Sequence, residues 1–245
     1  MLNPAIRVKN ESAIQGRCLV ADSRICSGTI LFRFDDVKPP VHLYELVDWP
    51  PQKRIRFLTY ASQIGEDDFS FRQGNIRFIN HSCDPSGYWS DYGVLTARRD
   101  IQPGEEITYD YSTADIKLAY RMECLCGADD CRGIVTNNDY LDPDFQKRYA
   151  GQLPEHVLRA INAAQSGSSR TECYAIENIP SHVLTAAKIA RQRAPELLAR
   201  YGSDQYIFEV FKVAIEQARS DAPEFCNALG EKAVFELLRD LILER

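Results

Sequence analysis

The 245-residue chain contains no apolar run near the ~18 residues that a membrane-spanning helix needs, which argues against a helical membrane protein. Its opening stretch, MLNPAIRVKNESAIQGRCLV, lacks the apolar h-region of a signal peptide. The expected setting is therefore cytoplasmic or nuclear and reducing, not secreted. An excess of positive charge is also missing. Lys plus Arg is 29 against 35 Asp plus Glu, a net charge of −6, so no direct grip on nucleic acid is expected. Such a balance suits basic partners instead. No internal repeat and no low-complexity tract is present, which excludes solenoid and collagen-like chains. What remains, 44% apolar and 26% charged residues, is the make-up of a globular chain long enough to bury a core.

Two textures divide the sequence. Up to about Tyr149, short β-branched or aromatic runs sit between turn residues. Strands are expected at Ile6-Arg7-Val8, Cys18-Leu19-Val20, Thr29-Ile30-Leu31-Phe32, Gly93 to Ala97 and Glu106-Ile107-Thr108-Tyr109. Pro103-Gly104 marks a turn, and a short helix fits between Pro39-Pro40 and Pro50-Pro51. Beyond Pro154 the pattern is helical. Glu155–Gln165 is one expected helix and Gln165 to Ser169 a linker, with the domain break near 166–170. Ser181 caps the next expected helix, with Val183, Leu184, Ala187 and Ala190 on one stripe; Pro195 ends or restarts it. Asp204 caps a third, carrying Ile207, Val210, Phe211, Ala214 and Ala218. A last helix carries Val234, Leu237, Leu238 and Leu241.

Eight cysteines in a reducing compartment point to metal ligands or core residues before disulfides. Cys124-Leu125-Cys126 and Cys131 form a C-x-C-x4-C cluster whose interior, Gly127-Ala128-Asp129-Asp130, is too polar for a packed element. Structural zinc wants four ligands, so a fourth must come from elsewhere, with Cys18, Cys26, Cys83, Cys173 and Cys226 as the thiol candidates. A second constellation is Arg77-Phe78-Ile79-Asn80-His81-Ser82-Cys83-Asp84-Pro85, in which residues two apart, such as His81 and Cys83, are not expected to face each other as a nucleophile pair. The third, Gly104-Glu105-Glu106-Ile107-Thr108-Tyr109-Asp110-Tyr111, sets two tyrosines at the end of a strand. A phenol with pKa near 10 is no general base at neutral pH, but it can orient an amine.

These three segments, in this order, resemble the SET-domain protein-lysine methyltransferases with a post-SET zinc segment. Ile14-Gln15-Gly16-Arg17-Cys18-Leu19 is similar to the family's opening cofactor motif, and the resemblance covers about residues 5–150. Cys131-Arg132-Gly133 followed by Asp139-Tyr140 looks like the short members of the family. The resemblance implies a mainly β fold of small sheets around a pseudoknot over 1–120, a post-SET zinc-binding segment over 121–150 and a helical C-terminal region over 151–245. It implies S-adenosyl-L-methionine as methyl donor, held by Gly16, Arg17, the backbone at Cys18, Tyr60, Asn80 and His81, with Leu125 against the adenine. Tyr111 matches the catalytic tyrosine, and Tyr109 the position associated with the number of methyl groups added. Cys83 would complete a structural zinc site with Cys124, Cys126 and Cys131. The implied partner is a lysine-bearing, histone-like or other basic protein. Glu66-Asp67-Asp68 reads first as a solvated loop, with a surface for a basic peptide as the alternative. The C-terminal helices could join copies of the chain. Three departures stand out: Cys18 where the family has a second glycine, Ser86 where it often has asparagine, and a compact Gly74-Asn75-Ile76 where it usually has a longer segment before Arg77-Phe78. The competing reading is a catalytically silent SET-like module that binds peptides or scaffolds a partner.

Overall fold

The computed structural model describes residues 1–33, 39–72, 74–91, 93–118, 120–166, 179–202 and 205–243. The expected linker over 165–169 lies mostly outside the described residues, and Cys173 and the Asp204 cap lie wholly outside them. Residues 1–40 and 60–164 form one compact unit; 41–59 and 165–245 form a second.

The first unit is built from small sheets. β1 (Ile6–Lys9) and β2 (Cys18–Ala21) pair antiparallel, with Lys9 opposite Cys18, so the intervening loop is closed at its base. All four residues of β2 are buried, which is why it reads as a continuous apolar run. β3 (Ile30–Arg33) flanks β9 (Val94–Ala97), which also pairs with β8 (Gly87–Asp91). β5 (Ala61–Gln63) and β6 (Asp68–Phe71) make a hairpin whose turn carries Glu66 and Asp67. β4 (Val41–His42) belongs to the second unit. β7 (Asn80–His81) runs parallel to β10 (Thr108–Tyr109), pairing Asn80 with Thr108 and His81 with Tyr109. This brings the second and third motifs side by side. β10 is shorter than the expected strand, because Glu106 leaves the ladder to bridge Val20. Gly104 turns the chain ahead of it at φ 84°, with Glu105 N–H donating to Gln102, as a Pro-Gly turn requires. Leu19, Ala21, Leu31, Leu95, Ala97, Ile107 and Tyr109 share one core. β11 (Arg121–Glu123) and β12 (Ile134–Thr136) bracket the cysteine loop. α2 (Pro143–Arg148), capped by the Asp142 carboxylate, and α3 (Glu155–Ser166) bury Phe145, Tyr149, Leu153, Val157 and Ile161 together.

The second unit is helical. The stretch between the two proline pairs holds a short 3-10 helix at Leu43–Asp48; α1 (Pro51–Tyr60), which lies beyond that expectation, starts on the second pair, on a proline that cannot continue a helix. α4 (Ser181–Tyr201), α5 (Tyr206–Asp221), α6 (Pro223–Leu229) and α7 (Glu231–Leu243) supply the rest. The stripes Val183/Ala187/Ala190, Val210/Ala214/Ala218 and Val234/Leu237/Leu238/Leu241 meet in one core. Three expectations are corrected here. Pro180, not Ser181, precedes the helix as its cap residue. Pro195 lies inside α4 without ending it; the residue is exposed, so the carbonyl it leaves unpaired can turn to water. Ile207 is only half-buried, and Phe208 takes the core position. Among the described residues no helix is long and apolar enough to cross a membrane.

Candidate functional site

The thiols of Cys83, Cys124, Cys126 and Cys131 lie within 4.8 Å of one another. That distance suits four ligands around one ion, and the all-thiolate set favours zinc-like chemistry. The surroundings fit sulfur anions. Arg132 N–H donates to Cys83 Sγ, Cys83 N–H to Cys126 Sγ and Gly133 N–H to Cys131 Sγ, each at 3.5 Å. Burial pushes the Cys83 thiol up to about 11 in the absence of a cation and raises Cys124 too; a bound divalent ion is the charge that would reverse this. Of the other thiol candidates, Cys18 and Cys226 are buried elsewhere and Cys26 is exposed.

His81 connects this cluster to the tyrosines. Burial lowers its pKa to about 4, so the ring is neutral at pH 7. Its Nδ1 accepts from Tyr111 N–H at 3.2 Å, which leaves the proton on Nε2, 3.4 Å from Cys83 Sγ. The expectation that residues 81 and 83 do not meet is thus corrected. They approach because the chain bends after the two-residue strand β7, and the contact is that of a donor to a sulfur in the cluster.

Tyr109 and Tyr111 come together as expected, their ring centres 4.9 Å apart. Tyr109 is fully buried against Trp89, and Tyr111 donates its hydroxyl proton to the Ile79 carbonyl at 3.0 Å. Burial raises both phenol pKa values, so neither ionises near neutrality.

Asn80 gathers the loop between β1 and β2. Its amide donates to the carbonyls of Gln15 and Arg17 at 3.0 and 3.3 Å and to Glu106 at 2.8 Å, while Ser12 donates to the same carboxylate. Gly16, at φ 57°, takes a left-handed conformation that favours glycine. Cys18 turns its side chain into the interior, 1% exposed. Ser86, fully buried, accepts from Thr108 N–H at 2.9 Å and donates to the Glu106 carbonyl at 3.1 Å, so this departure leaves no polar atom stranded. Leu125, between two of the thiols, is 63% exposed, an uncovered apolar side chain in an otherwise polar loop. Tyr60 stands apart from the tyrosine pair. It packs on Phe71, and Arg77 bridges its ring to Phe78, over whose ring Arg17 also lies, at 5.2 Å.

Three residues that the motifs left without a role form a hub. Asp110 is fully buried and accepts two bonds from Arg132, at 2.7 and 2.8 Å, and one from the Tyr149 hydroxyl at 2.7 Å. Asp110 and Arg132 were in view within the quoted motifs; Tyr149 carries no local signal. Beside Tyr109, a cleft of about 480 Å³ is lined by Trp89 and His156 and by Glu66, Asp68, Asp91 and Glu155. Asp67 does not open into it, being buried in an ion pair with Lys117 at 2.9 Å.

Part of the chain is similar to known proteins. Residues 16–112 match the model of the SET domain. Histone-lysine N-methyltransferase ATX2 of Arabidopsis thaliana is 32% identical over 114 residues, covering 39% of this chain and 10% of the relative. The H3 lysine-36 specific histone-lysine N-methyltransferase of Candida glabrata is 33% identical over 129 residues, covering 49% and 17%. The solved methyltransferase domain of human SETMAR aligns at 25% identity and a TM-score of 0.42 over 54% of this chain and 58% of that one. The chain spans less than a fifth of the length of those two curated relatives. Residues 16–112, with the paired second and third motifs at their end, are the part of the chain that is similar to the SET domain.

Proposed function

We propose that the chain is a protein-lysine N-methyltransferase that uses S-adenosyl-L-methionine, with residues 121–150 as a post-SET segment holding structural zinc. The observation that carries this reading is the continuous connection from the thiol cluster through His81 to Tyr111. The residues present fit the methyl donor: Gly16 and the carbonyls gathered by Asn80 offer a backbone cradle, and exposed Leu125 offers a face for a flat apolar ring. When bound, S-adenosyl-L-methionine supplies a sulfonium-borne methyl, its S–C bond breaking as the new N–C bond forms on the amine. The substrate lysine must first lose a proton, and with a pKa near 10.4 it needs a dry, electropositive channel to do so. Tyr109 and Tyr111 stay neutral, so they align the amine and that proton leaves to water. The acidic cleft beside Trp89 suits a basic, histone-like peptide in a nuclear or cytoplasmic setting.

Incubation with isotope-labelled S-adenosyl-L-methionine, core histones and host lysate tests the reading. Label on a protein lysine, lost in Tyr111→Phe, supports it. Binding of the donor by calorimetry without any transfer returns the chain to a silent module. Asn80→Ala releases the Gln15 and Arg17 carbonyls and is expected to weaken donor binding by about tenfold, for two lost hydrogen bonds at ~1 kcal/mol or less each. Binding equal to wild type would remove Asn80 from the donor site.

With Tyr109 present, monomethylation with some dimethylation is the expected product. A hydroxyl at the channel bonds the amine or holds a water in the space a first methyl must swing into, and a methyl cannot replace those bonds. Tyr109→Phe is expected to shift the product toward di- and trimethyl-lysine by mass spectrometry. A mainly trimethyl product from the wild type refutes this.

A further inference from the structure

The Tyr109 hydroxyl is held from two sides by groups the reaction above does not use. It donates to Asp115 Oδ2 at 2.8 Å and accepts from the guanidinium of Arg72. Arg72 is itself buried. Its Nε donates to Ser62 Oγ, and its guanidinium carbon stands 5.0 Å from the centre of the Tyr109 ring and 6.0 Å from that of Tyr111. Asp115 is fixed in turn, its Oδ1 accepting from Gln63 N–H at 2.8 Å. A phenol has one proton and two lone pairs. Here the proton is committed to a carboxylate and one lone pair to a cation, and such charge-assisted bonds are the strong ones. One lone pair is left, so toward a substrate this hydroxyl acts only as an acceptor.

We infer that Arg72 and Asp115 are positioning residues that fix Tyr109 as an acceptor for the substrate amine and thereby limit how many methyl groups the amine receives. The inference rests on the proposed methyltransferase reading. An acceptor favours an amine that still carries an N–H. Neutral lysine has two such hydrogens, monomethyl-lysine one and dimethyl-lysine none. A dimethyl amine has no N–H to give, and it displaces any water that could take its place, so the buried lone pair is left unpaired, which is costly. The committed proton matters as well, because it cannot turn toward the amine's own lone pair, which has to face the incoming methyl. Freed from Asp115 or Arg72, the hydroxyl can rotate or swing aside, and the discrimination weakens.

The test measures initial rates on one peptide in three forms, with the target lysine unmodified, monomethylated or dimethylated. The peptide is taken from whichever core-histone site the wild type labels. Asp115→Asn keeps the shape and can donate to the phenol, releasing its proton. Arg72→Lys keeps the charge but cannot fork between Ser62 and Tyr109. Ser62→Ala removes only the Arg72 anchor. For Asp115→Asn and Arg72→Lys the rate on the methylated peptides relative to the unmodified one should rise about fivefold, the effect of one hydrogen bond. Ser62→Ala should give a smaller rise. In a Tyr109→Phe background the same substitutions should leave the ratio where Tyr109→Phe alone sets it, since the hydroxyl they act on is gone. General structural damage slows all three peptides together and leaves the ratio unchanged; that result in both Asp115→Asn and Arg72→Lys overturns the inference. A wild type that binds S-adenosyl-L-methionine but transfers no methyl to any protein overturns the methyltransferase reading, and this inference falls with it.

Discussion

Tyr111→Phe will lower methyl transfer by about 10²-fold or more, the scale of removing one preorganised polar group from a catalytic site. Folding and binding of S-adenosyl-L-methionine will survive. The ring stays where it is because its position is set by packing, with His81 edge-on at 5.3 Å and Tyr109 tilted at 4.9 Å, and by the backbone N–H bond to His81 Nδ1. Only the hydroxyl is lost, and with it the bond to the Ile79 carbonyl. Because burial raises the phenol's pKa, the loss cannot be that of a base. The pH dependence of the residual rate should therefore match that of the wild type. Single-turnover transfer to core histones, with calorimetry of donor binding, separates the outcomes. A wild-type rate reduces Tyr111 to a packing residue, and a loss confined to donor affinity makes it a binding group.

What the sequence disclosed and what it hid follow from how local each signal is. β1, β2, β3 and β9 were legible because β-branched runs between turn residues need no partner to be recognised, and α5 and α7 because four or more of their apolar positions keep the helical period. The cysteine loop was legible from polar residues between thiols, though its fourth ligand came from the resemblance and is matched by the geometry of Cys83. The meeting of His81 with Cys83 was hidden, since it depends on how the chain bends after β7, which no local pattern announces. The grouping of residues 41–59 with the C-terminal helices was hidden too, because Arg54 and its ion-pair partner Glu209, 2.5 Å away, lie on α1 and α5, far apart in sequence. Arg72 and Asp115 gave no signal at all. Arg72 belongs to none of the motifs, and only the burial of its guanidinium between Ser62 and Tyr109 gives it a role.

Removing the metal is expected to have an effect as large as removing the Tyr111 hydroxyl, by a different route. Purified protein should contain about one zinc per chain, bound by Cys83, Cys124, Cys126 and Cys131. Structural zinc contributes about 10–16 kcal/mol of apparent binding free energy in small domains, more than the whole stability of many folds. Here the loop it organises also supports the tyrosines. Arg132 follows a ligand directly, donates its N–H to Cys83 and grips Asp110 through two bonds, while Asp110 N-caps the 3-10 turn that begins at Tyr111. Loss of the ion should thus loosen residues 121–136 first and disturb Tyr111 through Arg132 and Asp110 next. Cys124→Ser should lower zinc content, donor affinity and transfer together, and prolonged chelation of the wild type should do the same. Cys26→Ser, exposed and outside the cluster, should change none of them. Hydrogen exchange gives the order of events, because protection lost in 121–136 ahead of β10 is what a metal-first path requires. Full zinc content after all four thiols are replaced by serine would refute the metal assignment. Unchanged transfer by a metal-free protein would break the connection between the cluster and the tyrosines.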